Sequence, residues 1–268
     1  MTRRAASFLF FASLAGAALF FLLRACLPIA ENGAAALAIE TAESALCAVA
    51  ALALCLRAGQ RLWPPKGRRL AFPAPCPLFF PVCAALCFLV AINNLPFLSL
   101  LAGRAQVTAE VGRVLLFAAS CLATATFEEL LFRAFLFPLC LRRWRPLTAV
   151  LVSSVAFGAA HLFNLAAGAG IPATLLQVGY SFLVGAAAAI LFLVSRNILL
   201  PILFHAVYNF GGLLVNRLGE GQIFDTPTVI LTVILAVVCA VFLLFALFSP
   251  ATVVAGNQIL EKKEAKAP

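Results

Sequence analysis

Three charged side chains occur close together within an otherwise apolar stretch. The segment TATFEELLFRAFLF, residues 124–137, contains Glu128, Glu129 and Arg133. On a helix, Glu129 and Arg133 lie on one face, where they can form an ion pair. Glu128 lies about 100° away around the same helix and has no partner within it. We therefore predict that Glu128 is the carboxylate available for chemistry.

The two histidines of the chain also lie in apolar stretches, His161 after SSVAFGAA and His205 within PILFHAVYNF. A single histidine in an apolar helix is commonly a hydrogen-bonded core residue. Two histidines together with an unpartnered membrane carboxylate indicate a functional cluster instead. Asn209 lies one turn after His205 on the same face. Histidine and asparagine suit the stabilisation of an oxyanion, and an interhelical hydrogen bond is the alternative for Asn209.

The composition defines the elements that must position these residues. Hydrophobic residues make up 64% of the chain and charged residues 11%, outside the range of soluble domains. The apolar runs have the length of membrane-spanning helices, roughly 20 residues. We predict an all-α, polytopic membrane helical bundle with about eight transmembrane helices. The predicted spans are roughly 6–23, 33–56, 75–101, 111–137, 147–164, 173–194, 198–215 and 227–248.

Basic residues predict the orientation of the bundle. They concentrate at 57–69, 142–145, 196 and 262–266, and the positive-inside rule then places both termini in the cytoplasm. The net charge of +9 follows from this bias and requires no nucleic acid. At a rise of about 1.5 Å per residue, Glu128, His161 and His205 lie about 12–20 Å from the cytoplasmic helix ends. This depth predicts one cluster, in a cavity that water enters from the cytoplasm.

Three motifs, each on its own predicted helix, carry a family resemblance. They are Glu128-Glu129-Leu-Leu-Phe-Arg133, Phe157-Gly-Ala-Ala-His161 and His205-Ala-Val-Tyr-Asn209. This pattern resembles the CPBP family of intramembrane proteases, also called the type II CAAX prenyl endopeptidase, bacteriocin-processing or Abi family. The resemblance covers about residues 120–212. It predicts N-terminal transmembrane helices at 1–110 without a recognised signature, a catalytic core at 111–216, and a last helix with a basic cytoplasmic tail at 217–268.

The resemblance implies an intramembrane endopeptidase whose site residues act in three pairs. In such an enzyme, an activated water attacks a peptide carbonyl and hydrogen-bond donors stabilise the oxyanion that forms. The implied pairs are Glu128 with His161 to activate the water, His205 with Asn209 to stabilise the oxyanion, and Glu129 with Arg133 to orient and support them.

A catalytic zinc ion is an alternative to a metal-free reaction. Glu128, His161 and His205 match the three protein ligands of a catalytic zinc site, and the family is often labelled a metalloprotease family. The chain has no HExxH motif, which would indicate zinc more directly. We favour the metal-free, glutamate-dependent mechanism and leave Zn²⁺ as the alternative.

The resemblance does not select a substrate. Family members cleave prenylated CAAX proteins or are linked to peptide maturation, bacteriocin immunity or surface-protein sorting. We expect a membrane-anchored protein or peptide as substrate and a multi-pass protein of a prokaryotic plasma (inner) membrane. The alternative is a non-catalytic membrane interaction or immunity protein of the same fold. A proton-coupled transporter would predict an inverted repeat, which the sequence does not show.

A further acidic pair, Glu40 and Glu43, lies on one helix face early in the second apolar run. We predict that both residues lie near the outer interface and meet water. The alternative is that they line a substrate path.

Overall fold

The computed structural model describes residues 33–60, 62, 79–221 and 226–248, which are almost entirely helical. In chain order, the helical elements are α1 (Ala34–Arg57), α2 (Phe79–Asn93), α3 (Phe97–Leu101), α4 (Val111–Glu129), a π-helical segment (Leu130–Leu136), α5 (Phe137–Leu141), α6 (Pro146–Ala160), a 3-10 segment (His161–Leu165), α7 (Ile171–Ser195), α8 (Leu199–Leu218) and α9 (Thr226–Phe248). The strand β1 (Ala105–Val107) pairs antiparallel with β2 (Gly219–Gly221).

Five helical stretches of the described chain are long and apolar enough to cross a membrane. They are Ala34–Arg57, Val111–Leu141, Pro146–Leu165, Ile171–Ser195 and Leu199–Leu218. Each matches a predicted span, and α9 matches the last one. The chain is thus a multi-pass helical membrane protein. The first predicted span, 6–23, lies outside the described residues, so the count of eight helices and the cytoplasmic termini stay predictions.

The predicted span 75–101 is not one continuous helix. α2 ends at Asn93 and the short α3 begins at Phe97. Pro96 explains the break, because proline has no N–H and disfavours helical geometry in the residue before it. At this break the side-chain amide of Asn94 donates to the Tyr208 carbonyl at 2.7 Å, which attaches the end of α2 to the middle of α8.

Short connections and backbone contacts define two ends of the bundle. Connections of only a few residues make α6, α7 and α8 run in alternating directions. The loops 142–145 and 196–198 therefore lie at one end, where the Ile198 N–H donates to the Leu62 carbonyl at 3.0 Å. We call this the loop end. The turn 166–170 and both strands lie at the opposite end, which we call the strand end; there the Thr108 N–H donates to the Leu218 carbonyl at 3.0 Å.

Small residues let α6 and α7 pack closely. A Cβ atom added at Gly158 would lie 2.9 Å from the Val178 carbonyl oxygen, so the two backbones are nearly in contact there. Further along α7, the small residues Gly185, Ala187, Ala188 and Ala189 are buried. The hydrophobic effect does not drive helices to associate inside a bilayer, so close packing and polar contacts provide much of the stabilisation between them.

Candidate active site

A π-helical segment positions the acidic motif. α4 ends at Glu129, and the backbone continues through the π-helical residues Leu130–Leu136 before α5 begins. Single π-helical turns within longer helices frequently occur at functional sites. Glu128 is 5% exposed, while Glu129 and Arg133 are fully buried. The charges predicted within a span therefore lie in the protein interior.

Glu129 and Arg133 form a buried ion pair. Arg133 Nη1 lies 3.1 Å from Glu129 Oε1, as the spacing predicts. The guanidinium carbon of Arg133 also lies 4.2 Å from the centre of the Phe157 ring, in a cation–π contact. Within the described residues, no nitrogen of this guanidinium makes a hydrogen bond of good geometry. A buried pair with so few hydrogen bonds stabilises a fold poorly, which favours a functional reason for its presence.

His205 lies between the two carboxylates. Its Nδ1 donates a hydrogen bond to Glu129 Oε1 at 2.8 Å. Its Nε2 lies 3.6 Å from Glu128 Oε2, beyond hydrogen-bonding distance but close enough for electrostatic interaction. The edge of the ring also packs against Phe157, with 5.6 Å between ring centres. Glu129 thus fixes the orientation of this imidazole, as carboxylates commonly do for functional histidines.

His161 lies where α6 changes into the 3-10 segment and is half-buried. Its Nδ1 lies 3.0 Å from the Phe157 carbonyl oxygen. Because a carbonyl oxygen only accepts, Nδ1 is the donor, and Nε2 of the neutral ring then carries the lone pair. The side chain of Phe157 also contacts His161, with 5.2 Å between the centres of the two rings. The spacing of four residues therefore fixes both the tautomer and the ring orientation.

A cavity of about 640 Å³ brings the predicted residues together. Its walls include Glu128, His161, His205 and Asn209, whereas Glu129 and Arg133 are not among its lining residues and are fully buried. The contacts place Glu128, Glu129, Arg133 and His205 in one chain of polar groups. His161 reaches the same cavity from the end of α6, and Asn209 reaches it from α8, the helix that carries His205. The roles of these residues as base, oxyanion donors and supporting pair stay predictions.

The cavity runs in an unexpected direction. Beyond the acidic motif it is lined by residues such as Phe117, Asn164, Ala167, Asn216 and Arg217, which lead towards the strand end. The expected entrance lay at the opposite end, next to the basic loop 142–145. The position of a residue along its helix predicts how far it lies from each end of the bundle. It does not predict at which end the helices separate to open a cavity.

Sequence reasoning missed several cavity residues. Both tyrosines of the chain, Tyr180 and Tyr208, line the cavity, with 6.3 Å between their ring centres. Their rarity in so apolar a chain was the available signal. Gly185, which borders the buried ion pair and does not line the cavity, was also missed. Its role follows only from a contact between helices, since a Cβ atom there would lie 2.9 Å from Arg133 Nη2 and 3.0 Å from Phe157 Cδ1.

Gly185→Ala is expected to disturb the buried pair directly. The added methyl group would push the guanidinium and the Phe157 ring apart, at a cost of about 1–3 kcal/mol in the free energy of unfolding. The matched control is Gly179→Ala on the same helix, where no described atom lies within 4 Å of an added Cβ atom. That control should leave stability unchanged or raise it by up to about 1 kcal/mol. Unfolding in mixed detergent micelles measures both; equal effects would contradict the assigned contact.

The predicted zinc ligands do not form a metal cluster. Among the described residues, no three His, Cys, Asp or Glu side chains are placed to hold a metal ion. The Nδ1 atoms of His161 and His205 are both hydrogen-bonded, to Phe157 and Glu129 respectively. A histidine that binds zinc through Nε2 commonly donates its Nδ1–H to a carbonyl or carboxylate in this way, so the zinc alternative stays a prediction.

The acidic pair on α1 divides between two environments. Glu40 lines the cavity and accepts a hydrogen bond from Arg217 Nη2 at 2.7 Å, while Glu43 is not among the lining residues. Glu40 is 16% exposed and Arg217 39% exposed, so this ion pair is only partly buried. A role for Glu40 in a substrate path stays a prediction.

Together, the fold and the site define a class: helical membrane proteins that hold a carboxylate and histidine cluster beside an internal cavity. Residues 110–211 match the family model described as Rce1-like: Type II CAAX prenyl endopeptidase Rce1-like. The match confirms the resemblance carried by the three motifs and contains all of them. The matched family comprises CAAX-type intramembrane proteases and so supports membrane protease activity at this general level. A comparison with curated proteins found no match.

Proposed function

We propose that this chain is an intramembrane endopeptidase that cleaves a membrane-anchored protein or peptide in a prokaryotic plasma membrane. The observation that carries the proposal is the cavity. Glu128, His161, His205 and Asn209 come from three separate helices and line one space large enough for an extended peptide segment. A cluster that served only helix packing would fill its interior rather than enclose such a volume.

Glu128 and His161 activate the water in the proposed reaction. Glu128 accepts a proton as the water oxygen bonds to the carbonyl carbon of the peptide, and Nε2 of His161 accepts a hydrogen bond from the same water. The tautomer that the Phe157 carbonyl fixes makes this Nε2 an acceptor. Collapse of the tetrahedral intermediate breaks the C–N bond, and the proton held by Glu128 passes to the leaving amine. General acid–base catalysis of this type typically raises the reaction rate by about 10²–10⁴-fold.

His205 and Asn209 stabilise the oxyanion. Because Nδ1 donates to Glu129, His205 donates from Nε2 only when both ring nitrogens carry a proton, and this Nε2 lies 3.6 Å from Glu128 Oε2. Asn209 provides a second donor from the same face of α8, one turn away. Donors held in place before the reaction stabilise developing charge most effectively. Glu129 and Arg133 supply that rigidity from behind the cavity, and residues 111–216 form the proposed catalytic core.

The test is a comparison of protein termini in membranes of cells that carry either the wild type or Glu128→Gln, at matched abundance. We expect new termini near transmembrane segments that are present with the wild type and absent with the variant. These termini would also identify the substrate. If no terminus changes while the variant keeps a phenotype of the wild type, the chain is a non-catalytic interaction or immunity protein.

A further inference from the structure

The lining of the cavity is confined to one side of the bundle. On α4 the lining residues run from Glu128 back to Phe117, and on α8 they run from His205 forward to Arg217. Both directions lead to the strand end. Within the described chain, no residue of 129–156 or 185–204 lines the cavity, and these ranges contain both connections of the loop end. The residues nearest the strand end, such as Ala167 and Asn216, are exposed.

Charge distinguishes the two ends. The described residues of the loop end include five arginines and no carboxylate: Arg57, Arg142, Arg143, Arg145 and Arg196. The strand end carries three arginines, Arg104, Arg113 and Arg217, beside the carboxylates Glu40, Glu110 and Glu220. One of these arginines is neutralised by its ion pair with Glu40.

The connection between α1 and α2 adds to this difference. Phe88 of α2 packs against Phe204, with 6.2 Å between ring centres, and Asn94 bonds to Tyr208, so α2 runs parallel to α8. α2 therefore starts towards the loop end, where α1 also finishes. The sequence between them, 58–78, carries four more basic residues, Arg61, Lys66, Arg68 and Arg69. Clustered basic residues in short loops mark the cytoplasmic side of a membrane protein.

We propose that the loop end faces the cytoplasm and that the cavity opens at the extracytoplasmic face of the membrane. This assignment rests on the directions of the described helices and on the basic residues in the sequence between α1 and α2, and it does not depend on the number of helices in the whole chain. Where the proposed function also holds, the substrate is a peptide segment on the extracytoplasmic side of a membrane anchor. Within the described part of the bundle, no cavity-lining residue connects Glu128 with the loop end.

Thiol labelling tests the orientation without requiring catalysis. Ala167→Cys and Asn216→Cys place a thiol at the cavity end on two separate elements, and Arg143→Cys places one at the loop end. Each full-length variant is expressed in bacteria, and spheroplasts are treated with a membrane-impermeant maleimide before and after permeabilisation. Mass spectrometry of the peptide that carries the new cysteine separates its labelling from that of the nine native cysteines.

We expect the two cavity-end cysteines to be labelled in intact spheroplasts and the Arg143→Cys thiol only after permeabilisation, with a contrast of at least tenfold. Labelling of Arg143→Cys in intact spheroplasts, with protection of the other two, would overturn the proposal. The labelling experiment tests the orientation and the cleavage experiment tests the proposed function, so the two proposals can be rejected independently. If labelling agrees but no terminus depends on Glu128, the proposed function fails while the orientation stands; if termini depend on Glu128 but lie on the cytoplasmic side, the extracytoplasmic entrance is wrong.

Discussion

Glu128→Gln is expected to lower the rate of substrate cleavage by about a thousandfold. Glutamine keeps the size and polarity of this nearly buried side chain but cannot accept the proton of the attacking water. The variant should remain folded, because the closest polar contact of Glu128, to His205 Nε2, is 3.6 Å long and adds little stability. The measurement is the rate at which a substrate, identified by its termini, is cleaved by purified protein in bilayers.

Glu43→Gln is the matched control for this prediction. Glu43 is a half-buried carboxylate of α1 that does not line the cavity, so its replacement removes a membrane carboxylate without touching the proposed base. Cleavage should stay within about twofold of the wild type. If Glu128→Gln retained wild-type cleavage, Glu128 would not be the base. If it lost the folded state together with activity, its role would be structural.

Arg133→Met is expected to have the largest effect on stability. Methionine fills much of the space of the arginine stem but leaves the Glu129 carboxylate buried beside His205 without its cationic partner. Breaking a fully buried pair in this way costs about 3–5 kcal/mol. Unfolding of the purified protein in mixed detergent micelles measures the loss. Glu129→Gln should also destabilise, because it leaves the Arg133 charge buried beside Phe157.

The double variant Glu129→Gln/Arg133→Met determines whether the two charges act as a pair. We expect it to lose less stability than the two single variants lose together, with a coupling of more than about 1 kcal/mol. The matched comparison is the Glu40–Arg217 pair, which is partly exposed. Glu40→Gln and Arg217→Met should each cost less than about 1 kcal/mol, as exposed ion pairs do. Equal costs for the two pairs would show that burial does not set the stability of the Glu129–Arg133 pair.

The smaller loss of stability expected for the double variant should not be accompanied by a recovery of catalysis. Glu129 orients His205 through a charged acceptor, and Glu129→Gln replaces that carboxylate with a neutral amide in both the single and the double variant. A double variant that folds well and cleaves poorly would separate the positioning role of the pair from its effect on folding. Full cleavage by the double variant would contradict that role.

The motif spacing predicted part of the site because helix geometry is local. Residues four apart share a face, so the Glu129–Arg133 pair and the bond from His161 to the Phe157 carbonyl both follow from sequence distance. The long apolar runs likewise predicted five of the described membrane-spanning stretches. These features depend on one helix at a time, and the sequence of that helix specifies them.

Contacts between helices needed the tertiary structure. The bond from His205 to Glu129 joins residues that are far apart in the chain, and no local pattern indicates which carboxylate a distant histidine will contact. The space for the guanidinium depends on Gly185, on a third helix. The side on which the helices separate to form a cavity also depends on packing along their whole length.

The sequence by itself thus determined that this is a helical membrane protein with polar motifs that belong together, because run length, charge and helical spacing are properties of the chain. Only the tertiary structure decided that His205 lies between the carboxylates, that Glu129 and Arg133 are buried away from the cavity lining, and that this cavity extends towards the strand end. The physical reason is that burial, ion pairing across helices and cavity shape arise from how the helices pack, which no single helix encodes.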